Sequence, residues 1–204
     1  MERIKMNKEL YRVITQRRTF YGISKDFVAS DERIQEIVER ATKYTPSAFN
    51  SQSARTVLML GKQHDRFWDI TMEALKKIVP ADNFQPTEDK INSFKSGYGT
   101  VLYYEDKSVV EGLQKQFPTY SENFPKWSEQ SNGMLQLVIW TVLQEEGFGA
   151  SLQHYSELVE ETVRKEWNLP ETWKLLGQMP FGKPTSDPGE KQFNFSDEHL
   201  KVFK

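Results

Sequence analysis

The apolar stretch Met134-Leu135-Gln136-Leu137-Val138-Ile139-Trp140-Thr141-Val142-Leu143 constrains the fold more than any other feature. It sits in a helix predicted over 128–146 and stopped by Gly147. Apolar side chains fall on most of its sides. A helix of that kind is buried all round, in a core or between subunits. It is too short to span a bilayer and is interrupted by Gln136, so a water-soluble domain must be built around it.

The other segments supply the layers that can cover it. Residues 7–17 predict a helix with Leu10, Val13 and Ile14 on one face. A second helix starts at Ser30, an N-cap residue, with Asp31 and Glu32 favoured by the positive helix end. Thr45-Pro46 ends it, because a residue before proline avoids the helical region. Further helices are expected at 63–79, 87–95 and 107–117, and from the turn at 149–155 to Trp167. Residues 55–61, 98–104 and 173–181 read as strands, short and rich in β-branched or aromatic residues. Helices outnumber strands, and long helical stretches separate the strands. The expected architecture is α+β, a single domain over 1–204, with a mixed central sheet flanked by helices. From Gly182 onward, Pro184, Pro188 and Gly189 predict an extended C-terminal arm.

Composition closes several routes to function. The chain carries 27 basic and 29 acidic side chains, a net charge of -2, which argues against a dedicated nucleic-acid binder. Cysteine is absent, so disulfides, thiolate metal sites and cysteine nucleophiles are excluded together. His64, His154 and His199 are too widely spaced for a histidine metal site. The segment Met1–Glu9 is too polar for a signal peptide, and a cytoplasmic protein with no membrane partner is expected.

Two polar segments point to a ligand. Arg17-Arg18-Thr19 closes the first helix with adjacent guanidiniums and a hydroxyl, and the planar guanidinium fork matches phosphate oxygens. Thr45-Pro46-Ser47-Ala48-Phe49-Asn50-Ser51-Gln52 gathers hydroxyls and amides suited to a polyhydroxylated or heterocyclic ligand. Together they suggest a phosphate-bearing cofactor. Each has a plainer reading beside it: cations at a helix C-terminus, and loop residues capping their own backbone.

The order of these pieces resembles the FMN-dependent nitroreductase superfamily. Arg17-Arg18-Thr19 is similar to its basic phosphate clamp, and Pro46-Ser47-Ala48-Phe49-Asn50-Ser51-Gln52 to its Pro-Ser-x-x-Asn-x-Gln loop. Gly147-Phe148-Gly149-Ala150-Ser151 resembles the Gly-x-Gly turn after the long helix, and Phe181-Gly182-Lys183-Pro184 the late Gly-x-Pro. Tyr98–Asp106, Ala150–Tyr155 and Pro188–Lys191 are similar to segments of the short bacterial and fungal subgroup named after a fatty-acid-repression mutant. The chain departs from the wider family at Tyr21, where many members carry a second clamp cation. It departs again at Gln153-His154, where better-known members have Glu-Gly.

The resemblance implies a homodimer with FMN at the subunit interface and no separate catalytic residue, since a flavin carries the chemistry itself. It implies that Arg17, Arg18 and Thr19 hold the phosphate and ribityl chain, with Lys191 as a further basic contact. Pro46, Ser47 and Asn50 would reach the flavin from the other subunit, with Gln52 as a further cofactor contact. Leu152 and Gln153 would pass beside the isoalloxazine ring, where family members place a backbone N–H on flavin N5, with Ser151 as a further cofactor contact. The implied activity is hydride transfer from NAD(P)H, as NADH or NADPH, to a nitroaromatic or quinone-type acceptor. A flavin-binding regulatory or stress-response protein with little turnover is the alternative. A structural helical interaction protein, using the apolar helix as its interface, is a third.

Overall fold

The computed structural model describes residues 8–204; the start of the first helix at Asn7 and the segment Met1–Glu9, read as too polar for a signal peptide, lie in part outside them. Strands β1 (Ile23–Ser24), β2 (Ala54–Leu60), β3 (Gly99–Asp106), β4 (Gly149–Ala150) and β5 (Trp173–Pro184) form one sheet in the order β1-β5-β3-β2, with β4 also on β5. Helices α1 (Lys8–Gln16), α2 (Asp31–Tyr44), α3 (Lys62–Leu75), α4 (Gln85–Lys95), α5 (Lys107–Gln116), α6 (Phe124–Glu145) and α7 (Ser156–Glu166) complete it.

The sheet was expected to be mixed; every strand pair among the described residues is antiparallel. The reason is where the helical excursions end. Leu60 pairs with Gly99, so α3 and α4 go out and return the chain to the end of the sheet it left. Asp106 pairs with Trp173, so the excursion through α5, α6 and α7 does the same at the other end. Each is a long hairpin connection rather than the crossover a parallel pair requires.

All eight residues of β3 are buried, and they alternate between two cores. Val101 and Tyr103 join Ile34, Ile37 and Val38 of α2 and Leu135, Ile139 and Leu143 of α6 on one face. Leu102 and Tyr104 join Phe67, Trp68 and Ile70 of α3, Ile91 and Phe94 of α4, and Val159 and Val163 of α7 on the other. The period of two along the strand thus divides the helices into two layers.

Local signals set the helix ends. Ser30 accepts from the Arg33 N–H, and α2 stops at Thr45, extended as a residue before proline must be. The central helix begins at Phe124, earlier than Ser128, because Pro125 is tolerated in a first turn where its missing N–H has no helical partner. It ends as the Phe148 N–H reaches Leu143 O and the Gly147 N–H reaches Gln144 O, with Gly147 at φ +97°. Its core stripe is Phe124, Ser128, Asn132, Leu135, Ile139 and Leu143. The opposite side leaves Met134, Leu137 and Val138 exposed in the single chain. Of the two ways to bury this helix, the core takes one face and leaves the other open. Residues 185–204 form the expected arm, without helix or strand. Among the described residues, no helix is long and apolar enough to cross a membrane.

Candidate functional site

The strap from Arg17 to Gly22 is tied to the end of α6 and to β4. Gln144 of α6 accepts from the Arg18 N–H at 2.7 Å and donates to Gln16 O at 2.5 Å. The Phe20 N–H donates to Ala150 O at 3.0 Å. Gly149 allows this approach: a Cβ there would lie 2.8 Å from Phe20 Cβ. The indole of Trp140 donates to the same carbonyl at 3.2 Å, and the Arg17 guanidinium stacks on that indole at 4.2 Å.

Arg17, Arg18, Thr19 and Lys191 come together around one cavity of about 430 Å³, closed by Tyr21, Asp187 and Pro188. Arg18 Nη2 lies 3.4 Å from Pro188 O, which helps tie the arm to the clamp. Arg17 Nη1 is buried and has no hydrogen-bond partner among the described residues. Burial and the charge of Arg18 pull the Arg17 guanidinium below its ordinary value. Two guanidiniums side by side, one with a buried orphan donor, have no carboxylate ion pair among the described residues, and a phosphate would supply the missing acceptors. The residues present therefore fit the phosphate end of FMN.

The second predicted segment lies elsewhere in the single chain. Pro46, Ser47 and Gln52 line a separate cavity of about 360 Å³ with Thr42, Lys43, Ser53, Arg55 and Ser131. Asn50 is exposed at the loop surface. The loop is built on left-handed backbone at Phe49, Asn50 and Gln52, with φ of +56°, +50° and +48°. Such a backbone persists only when its surroundings hold it. Here Ser47 Oγ accepts from the Gln52 N–H at 2.9 Å and Ser47 O from the Asn50 N–H at 2.9 Å. The Phe49 ring packs between Phe117, Tyr120, Phe124 and Trp127, at centroid distances of 5.1 to 6.0 Å.

The third segment runs along β5. Gln153 exchanges both backbone hydrogen bonds with Gln178, at 2.7 and 2.9 Å, so its N–H is already used. The Ser151 and Gln153 side chains turn inward and bond each other at 3.0 Å. Between them, the Leu152 N–H has no acceptor among the described residues. Leu152 is thus the residue of the three that presents a free backbone donor.

Sequence reasoning missed the groups that hold these pieces in place. Gln178 is wholly buried; its Oε1 accepts from the Tyr155 N–H at 2.7 Å and its Nε2 donates to Ser156 Oγ at 2.8 Å. Gln144 and Trp140 are the others. Their signal was a polar or amphipathic side chain inside an apolar run, the kind of residue that stays buried only when it is hydrogen-bonded. His154 is exposed and stands apart from the clamp. Among the described residues there is no cluster of His, Asp and Glu that could hold a metal ion.

Residues 14–183 match the nitroreductase family. The chain belongs to that family. Putative nitroreductase HBN1 of Saccharomyces cerevisiae is 32% identical over 191 residues, 93% of this chain and 95% of the relative. Nitroreductase CinD from Lactococcus lactis, solved in complex with chloramphenicol, superposes with a TM-score of 0.88 at 39% identity, covering 96% of this chain and 100% of CinD. CinD in complex with 4-nitrophenol gives a TM-score of 0.87 at 40% identity, with the same coverage. The FMN-dependent nitroreductase NfnB from Mycobacterium smegmatis shares the fold at 14% identity and a TM-score of 0.75, covering 98% of this chain and 100% of NfnB.

Proposed function

We propose that this nitroreductase-family chain is an FMN-dependent oxidoreductase that passes a hydride from NADH or NADPH to a nitroaromatic or quinone-type acceptor. The observation that carries the reading is the buried, unpartnered Arg17 Nη1 beside Arg18, Thr19 and Lys191. Bound FMN supplies the redox chemistry at N5, accepting and returning the hydride. The chain's residues bind and orient it. Arg17, Arg18 and Lys191 neutralise the phosphate, and Thr19 offers a hydroxyl to the ribityl chain. The Leu152 N–H, left free beside the Gln153–Gln178 bridge, would serve as a donor to the ring edge. Ser151 and Gln153 act from behind, by locking that backbone. Arg17 is itself stacked on Trp140, so its fork is preorganised rather than recruited on binding.

Pro46, Ser47 and Gln52 line a different cavity from the clamp and Asn50 is exposed on the same loop, which suits a homodimer in which this loop reaches the partner's flavin. The exposed Met134, Leu137 and Val138 of α6 would be covered in that dimer. The chain would work in the cytoplasm as one domain over 1–204. That CinD was solved with chloramphenicol and with 4-nitrophenol supports a nitroarene as acceptor.

The test is the visible spectrum of the purified protein, followed by anaerobic NADH or NADPH. Flavin bands that bleach and recover on adding a nitroarene or quinone are expected. Bands that never bleach would favour a flavin-binding regulator, and no bands after soaking in FMN would sink the cofactor reading.

A further inference from the structure

Gln136, Trp140 and Gln144 recur every four residues along α6, so they stand in one row on its surface, and all three are half-buried. Two members of the row already hold the clamp. Gln144 bonds the Arg18 N–H and Gln16 O; Trp140 carries the Arg17 guanidinium at 4.2 Å and donates to Ala150 O. From Gln144 the row runs about 12 Å along the helix axis to Gln136. Its far end stands beside Leu152. Gln136 Nε2 and Leu152 Cδ1 lie 3.8 and 3.4 Å from one point, the place a Cβ on Gly177 of β5 would occupy.

The direction of the Gln136 amide is fixed by its neighbours. Asn132, one turn back and wholly buried, donates through Nδ2 to Tyr104 O at 3.0 Å, a backbone carbonyl that can only accept. Asn132 therefore turns Oδ1 toward Gln136, whose Nε2 donates to it at 2.9 Å. That leaves Gln136 Oε1 as the free end. It accepts from no group among the described residues, and it is not sealed in the core. A single open acceptor thus sits at one end of a row whose other end grips the clamp.

We propose that Gln136 is a flavin-binding residue whose Oε1 accepts from the N3–H of the isoalloxazine ring. The inference rests on the FMN reading above and adds a ring contact to it. An oxidised isoalloxazine has several acceptor atoms but one N–H, at N3, so a lone carbonyl acceptor beside the ring has one group to serve. The Leu152 N–H and Gln136 Oε1 offer a donor and an acceptor from two different elements, which suits a pyrimidine edge where both kinds of atom alternate. The oxygen is also preorganised, because Asn132 holds the Gln136 amide against β3 before any ligand arrives. The role accounts for an amide at a half-buried position inside an otherwise apolar run.

The test pairs two flavins with two proteins. The flavins are FMN and its N3-methyl derivative, which has no N3 proton; the proteins are wild type and Gln136→Ala. The Kd of each pair is read from flavin fluorescence. Wild type should prefer FMN by at least about tenfold, since the methyl group leaves Oε1 without its donor. Gln136→Ala should bind FMN about three- to tenfold more weakly, the worth of one neutral hydrogen bond, and its preference between the two flavins should fall below about threefold. Proton NMR of bound FMN should show a slowly exchanging N3–H in wild type and lose it in the variant. Gln136→Met, of similar length, gives the same comparison if the alanine variant does not fold. If wild type binds FMN but does not distinguish the two flavins, or if the variant weakens both equally, the proposal is overturned while the cofactor reading stands. A wild type that binds neither flavin overturns the cofactor reading and this contact with it.

Discussion

The clamp at Arg17–Thr19 and the loop at Ser47–Gln52 both stood out as polar segments, yet they are built on opposite terms. In the clamp, two guanidiniums lie side by side, one with a buried donor that nothing satisfies. In the loop, the Ser47 hydroxyl and carbonyl already hold the backbone of Gln52 and Asn50. The clamp is incomplete without an anion, whereas the loop is complete as it stands and presents Asn50 outward. Unsatisfied groups mark where a ligand is required; satisfied ones mark the frame that presents it. Removing a clamp residue should therefore cost binding and leave the fold alone, and removing a loop cap should do the reverse.

The largest effect is expected from Arg17→Ala combined with Arg18→Ala. Charge-assisted hydrogen bonds to phosphate are worth about 1.5–3 kcal/mol each, so FMN affinity should fall by at least about a hundredfold. Stability without FMN should change little, because the burial of Arg17 Nη1 without a hydrogen bond offsets the stacking of its guanidinium on Trp140. Titration with FMN by flavin fluorescence and a thermal melt of the apoprotein check both halves. A melt that collapses with affinity intact would reverse the assignment.

His64 gives the satisfied extreme of the same comparison. It is wholly buried; its Nδ1 lies 2.8 Å from Thr100 Oγ1 and its Nε2 3.1 Å from Lys95 O, while Trp68 Nε1 donates to Thr100 Oγ1 at 2.9 Å. Burial brings the imidazole down to about 4, from 6.5. The folded state therefore holds it neutral while the unfolded chain protonates. Its contribution to stability is complete above 6.5 and is lost as pH falls toward 4, about 3 kcal/mol in all. Urea unfolding across that window should show the loss. The affinity of the clamp for FMN, measured where the protein stays folded, should not follow it.

The elements were legible because their signals are local. The Ser30 cap, the Thr45-Pro46 stop and the Gly147 stop depend on near neighbours, and all three stand in the fold. Strand direction was not legible, since it depends on where the helical excursions set the chain down. Within the candidate site, Arg17, Arg18 and Thr19 were readable as neighbours in sequence. Their meeting with Lys191 needed the arm to fold back past Pro188. The positive φ values at Phe49, Asn50 and Gln52 were hidden as well, because they depend on four aromatic rings of α6 and the segment before it. A sequence shows which side chains can bind; packing decides which of them are left with bonds unmade.

The smallest expected effect tests the loop side. Ser47→Ala removes the acceptor for the Gln52 N–H, at a position where Gln52 has left-handed backbone. Loss of one capping hydrogen bond costs about 1 kcal/mol, and the Gln52 and Ser51 amides should lose hydrogen-exchange protection to a similar degree. FMN affinity should change by less than about fivefold, because the Ser47 hydroxyl is committed to its own loop before any ligand arrives. The aromatic packing of Phe49 remains as a second anchor, which keeps the damage local. If the variant instead lost affinity as steeply as the arginine pair while its amides stayed protected, Ser47 would be a direct contact. The loop would then belong with the clamp, as a group waiting for its ligand.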